Sequence, residues 1–196
     1  MRLRTGWGAV ACAAVLGCGA PTVEKLGEKW GGVYAVESFT TNATGCDGEG
    51  ASTLESLRER HVVVVATKTL GESRVGVLSC ADLEACREKA RQLAAGEMLS
   101  GEYFYDFTTV TPGGGLSARY ASSGFASEDR KLCTGGSASD RTLTRVGDRL
   151  RIEERTRRAS DYPADAEGGC WTDKALAAAE GKPCGQLRVL TATAVR

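Results

Sequence analysis

Histidine is almost missing from this chain of 196 residues; His61 is its one imidazole. A Ser-His-Asp or Cys-His device would have to be built on that residue. It opens the valine-rich run HVVVVAT with no motif around it, so it reads as structural. No C-x2-C pair accompanies it, which removes the spacing of zinc-ligand sets. Aromatic residues make up only 6 %, leaving the core to valine, leucine and alanine. Charge of one sign is not in excess either: 25 basic side chains face 25 acidic ones. That balance gives no reason to expect nucleic acid as the main partner. Two acidic groups, Asp47 with Glu49 and Asp161 with Asp165 and Glu167, lack EF-hand spacing and read as solvated loops. Gly135-Gly136-Ser137-Ala138-Ser139 lacks the last glycine of a nucleophile elbow. No catalytic residue, metal or cofactor is assigned, and the chain is not read as an enzyme.

Long hydrophobic runs are lacking as well. The uncharged stretch Trp7 to Gly17 covers eleven residues, and a helix needs about 20 to span a bilayer. With Arg2 and Arg4 ahead of it and small residues at its end, it reads as a secretory signal. The stretch closes on Val15-Leu16-Gly17-Cys18, and Leu16-Gly17-Cys18 resembles the lipobox of bacterial lipoproteins. An ordinary cleaved signal is the alternative. The resemblance implies cleavage before Cys18, lipidation of its sulfur and a membrane anchor through the N-terminal lipid. Gly19 stands where aspartate marks inner-membrane retention in enteric bacteria, which implies the outer membrane, on either face. Residues 1–17 are then the signal peptide, residues 18–29 a polar tether, and residues 30–196 the folded domain.

Six further cysteines remain: Cys46, Cys80, Cys86, Cys133, Cys170 and Cys184. An even number in an exported chain predicts three disulfides, with 15 possible connectivities. Short separation favours Cys170–Cys184. Cys80–Cys86 can form only if the helix that follows starts after Cys80, because six helical residues span about 9 Å and a bridge reaches about 7 Å. Cys46–Cys133 remains by elimination. The capping motif Ser79-Cys80-Ala81-Asp82 and the apolar stripe Leu83, Cys86, Ala90 and Leu93 predict the helix itself.

Alternation and turn residues predict eight strands, near residues 30–41, 61–67, 74–79, 101–110, 116–122, 141–146, 149–155 and 186–195. A second short helix is expected at Thr172 to Glu180. Connections alternate between tight turns and long loops, and the long ones hold all six cysteines. In an up-and-down antiparallel meander, alternate connections lie at the same end. The fold expected is mainly β: one eight-stranded meander barrel, its cysteines at one rim, its first and last strands paired, two short helices in long loops. This topology resembles the lipocalin-like barrels, whose G-x-W on the first strand corresponds to Gly32-Val33-Tyr34. The resemblance implies a late arginine packed on that ring, and Arg188 is the candidate in the final strand.

Tyr103, Tyr105, Phe107 and Tyr120 fall on inward positions of such a barrel, as pocket lining or simply as core. The dense series Arg141, Arg145, Arg149, Arg151, Arg155, Arg157 and Arg158 reads as cross-strand ion pairing on a solvated face, with binding of anionic sugars or lipid head groups as the alternative. The function expected is binding of a small apolar or amphipathic ligand by a lipid-anchored barrel. The alternative is a non-enzymatic module with a filled core that contacts another envelope protein.

Overall fold

The structure is a computed structural model and describes residues 20–69, 71–97, 99, 101 and 104–195. The leader, Cys18 and Tyr103 lie outside the described residues. In chain order the elements are helix α1 (Val23–Trp30), strands β1 (Gly32–Asn42) and β2 (Ala51–Ser52), a 3-10 turn at Leu54–Ser56, β3 (His61–Thr69), β4 (Glu72–Cys80), and α2 (Leu83–Ala94). There follow β5 (Phe104–Phe107), β6 (Thr109–Val110), β7 (Leu116–Ser122), β8 (Phe125–Ala126), β9 (Leu132–Thr134), β10 (Gly136–Val146) and β11 (Arg149–Ala159). The chain ends through β12 (Tyr162–Pro163), α3 (Thr172–Ala179) and β13 (Gln186–Ala194).

The large sheet runs β5-β4-β3-β1-β13-β11-β10-β7-β6, antiparallel throughout. Its two edges, β5 and β6, are halves of one run broken only at Thr108. The sheet therefore returns to itself and is a nearly closed barrel, with the first and last strands paired as the alternation of connections predicts. At the handover, the Thr108 amide donates to the Ser117 carbonyl at 3.2 Å. Toward the cysteine end, among the described residues, β5 pairs only with β4, and no ladder joins it to β7. A seam is left there.

Alternation decides what fills the barrel. Tyr34, Val62, Val64, Val75, Val77, Phe107, Leu116, Leu143, Leu150, Ile152 and Leu190 form one core, each almost completely buried. Outside the barrel, Cys86 and Leu93 of α2 cover Val63 and Leu78. Ala175 and Ala179 of α3 cover Ala138, Ala159 and Tyr162.

Residues 23–30 are not a polar tether. Thr22 caps α1 by accepting from the Lys25 amide at 3.2 Å, and Leu26 and Trp30 on one side of the helix join the barrel core. Burying those two side chains is worth roughly 1.5–3 kcal/mol each. The Trp30 carbonyl accepts from the Tyr34 hydroxyl at 2.6 Å, tying α1 to the first strand. Residues 23–30 thus belong to the folded domain, and the described residues hold three helices, not two.

The six cysteines lie at the end of the barrel where β1, β4 and β11 finish and β10 and β13 begin. All six are bonded, but two pairs differ from the expected ones. The bridges are Cys46–Cys184, Cys80–Cys86 and Cys133–Cys170, with Cα separations of 5.7, 5.2 and 5.7 Å. Cys80 ends β4 and α2 starts at Leu83, so the condition for the Cys80–Cys86 bridge is met. Asp82, not Ser79, caps α2, accepting from the Ala85 amide at 2.8 Å. Ser79 belongs to β4, where its hydroxyl donates to Glu59.

Candidate functional site

Three strands meet the cysteine end with a charge on their inward faces. On β11 the alternation Leu150, Ile152, Glu154 carries an acid into the barrel after two apolar positions. On β10 the residue two before Leu143 is Arg141, and on β13 the residue two before Leu190 is Arg188. Arg141 pairs in register with Glu154, and Glu154 with Arg188. The three side chains therefore occupy one rung of adjacent strands.

The rung below is Leu116, Leu143, Ile152 and Leu190, all essentially inaccessible. The rung above is Tyr120, Ser139, Thr156 and Gln186, where the Ser139 and Thr156 hydroxyls lie 2.8 Å apart. An apolar floor, a charged layer and a polar lip thus follow one another toward the mouth.

Glu154 is only 5 % exposed. One oxygen accepts from Arg141 Nε at 2.8 Å, and the other lies 3.6 Å from Arg188 Nη1. The Arg141 guanidinium lies over two phenol rings, 5.1 Å from the centroids of both Tyr105 and Tyr120. Cations over ring faces gain more as water is removed, and Arg141 is 17 % exposed. Tyr105 is reached across the seam from β5, Tyr120 along β7. Burial first, and then the Glu154 carboxylate, push the Tyr105 phenol up to about 12, while Arg141 and Arg188 pull the other way. Among the described residues, the rung thus sets two guanidinium groups around one carboxylate.

Of the four residues expected to line a pocket, Tyr105 and Tyr120 frame this mouth. Phe107 is packed in the core below it, and Tyr103 lies outside the described residues. Arg188 does not pack on Tyr34. The cation over that ring is Arg145, with 5.7 Å to the centroid. Arg145 reaches it from the strand end nearest α1, where it also donates to the Lys29 carbonyl at 2.9 Å.

Four other arginines of the dense series behave as expected of a solvated face. Arg149 pairs with Glu37, Arg151 with Glu49 and Glu153, Arg155 with Glu153, and Arg157 with Asp140. Composition and spacing give no hint that Arg141 differs from them. The alternation of Leu143 with Arg141, and of Ile152 with Glu154, is the signal that separates the inward charges.

His61 starts β3, with Nδ1 3.3 Å from the Ala81 carbonyl. Asp165 accepts from the amides of Glu167 and Gly169 and from the Trp171 indole, shaping its own loop. Among the described residues no group of three or more histidine, cysteine, aspartate or glutamate side chains is placed to share a metal ion. Among them, too, no helix is long and apolar enough to cross a membrane.

Beyond the mouth, β8, β9 and β12 form a separate three-stranded sheet bound to the body through Cys133–Cys170. Cys133 and Tyr162 face α3 from this sheet. Its other face carries Phe125, 81 % exposed, and Leu132, 44 % exposed. Comparison with known protein families, curated proteins and solved structures finds no match for this chain.

Proposed function

We propose that this protein is a lipid-anchored envelope protein that holds a small amphipathic ligand at the mouth of its barrel. The observation that carries the reading is the layered mouth: Arg141, Glu154 and Arg188 sit directly above an apolar rung, beside the stretch where no ladder joins the described residues of β5 and β7. Small-molecule sites combine an apolar surface with a few converging polar groups in this way. The lipobox-like Leu16-Gly17-Cys18 supports the anchor, and three disulfides suit an oxidising compartment. Side chains occupy the barrel below the mouth, from Leu116 and Leu143 down to Trp30. The ligand's apolar part therefore lies outside the charged rung, along the seam, rather than deep inside.

Native mass spectrometry of the exported, oxidised protein tests this. An adduct of a few hundred daltons, lost on denaturation, is the expected result. A bare mass after incubation with envelope lipids would reject it. A second reading, an interaction module contacting another envelope protein, draws on the exposed Phe125 and Leu132 beyond the mouth. It gains if the bare mass is found.

A further inference from the structure

We infer that the mouth recognises an oxyanion, a carboxylate or phosphate head group, through Arg141 and Arg188. This rests on the ligand-binding reading above and names the chemistry of that site.

A buried rung of this kind is expensive. Moving charges out of water costs several kcal/mol per ion, and well-packed apolar residues of similar volume commonly serve stability as well or better. Leucine or isoleucine fills the rung below on the same strands. The charges therefore make sense as recognition rather than as a means of holding the barrel together.

The geometry agrees. Among the described residues, Arg141 hydrogen-bonds the protein only through Nε, to Glu154. Its two terminal nitrogens keep their N–H groups for another acceptor. The rings of Tyr105 and Tyr120 hold the guanidinium carbon in place, 5.1 Å from each centroid. Arg188 makes no hydrogen bond among the described residues and is 45 % exposed. It approaches the second oxygen of Glu154 from the opposite side. Glu154 thus orients two guanidinium groups without neutralising both. Arginine's planar fork matches the paired oxygens of carboxylate and phosphate, and its weak hydration makes such contacts favourable at a partly dry site. A cationic or neutral head group would leave this surplus charge uncompensated.

The test is isothermal titration calorimetry of the exported full-length protein, kept soluble in an uncharged amphipol, with octanoate, octyl phosphate and octanol as probes. The two anions are expected to bind at least about ten-fold more tightly than octanol, as befits charge-assisted hydrogen bonds. Arg188→Gln, at a half-exposed position, should remove most of that preference. Arg141→Gln should do the same, provided its disulfide content and circular dichroism match the parent. Stronger binding of octanoate would point to a fatty-acid-like ligand, and stronger binding of octyl phosphate to a phospholipid-derived one; both support the inference. Anions and octanol binding alike, or anion binding that survives Arg188→Gln, would overturn the oxyanion inference while sparing the ligand reading. No binding of any probe would overturn both.

Discussion

At the scale of single residues, the environment decides what an ion pair is worth. Arg155 and Glu153 meet at 2.6 Å on the outer face, where Arg155 is half exposed. Such pairs contribute about 0–1 kcal/mol. Glu154 meets Arg141 at nearly the same distance but inside the barrel. Removing its charge leaves one deeply placed guanidinium without its counter-ion, which costs far more than a surface pair contributes. Glu154→Gln is expected to lower stability by roughly 2–3 kcal/mol, and Arg155→Ala by less than about 1 kcal/mol. Urea denaturation of both variants checks the contrast; equal effects would mean that the rung is effectively solvated. Both glutamates were visible in the chain, one residue apart. Only the strand alternation tells which faces in, and reading the arginine series by density alone hides it.

At the scale of elements, α1 shows how composition misleads. Gly19 to Lys29 looks polar, and counted as a whole it has little to bury. Yet Val23, Leu26 and Trp30 recur at helical spacing behind a threonine cap, enough for one side to dock. Gly27 is where the docking is closest. A Cβ there would lie 2.7 Å from Val75 Cγ2 and 2.8 Å from Ala66 Cβ. Gly→Ala inside a helix ordinarily stabilises by about 0.5–1 kcal/mol. Gly27→Ala is expected to do the opposite, lowering the melting temperature as the helix is pushed off β3 and β4. A rise in melting temperature would show that α1 is not seated on those strands. The disulfides were only partly legible for a different reason. All six cysteines do reach one rim, so closeness in sequence no longer selects partners. Cys184 follows α3 and lies beside β1's outgoing loop, while Cys170 precedes α3 beside β9. Reading Cys170–Cys184 as a local clasp ignores the helix between them, which carries its two ends to different neighbours.

At the scale of the whole molecule, the barrel was the most legible feature, because parity is a global constraint. Eight runs with alternating short and long links leave few ways to arrange an antiparallel meander, and small errors in strand ends do not alter the count. The missed features are those that parity does not see: the break at Thr108, the small sheet of β8, β9 and β12, and the layering of charge at the mouth. Each depends on a few residues within a loop or on one face of a strand.

The break at Thr108 makes the barrel a belt fastened at one short buckle. Every other strand-to-strand join of the belt runs over four or more residue pairs, whereas β6 meets β7 over two. Loosening a fastening of that length sacrifices few backbone hydrogen bonds, and the strands on either side remain tied to β4 and β10. Among the described residues, the β6–β7 ladder is therefore the weakest join of the circumference. A closure of that length makes the sheet's last join, not its first, the place where backbone pairing is cheapest to lose.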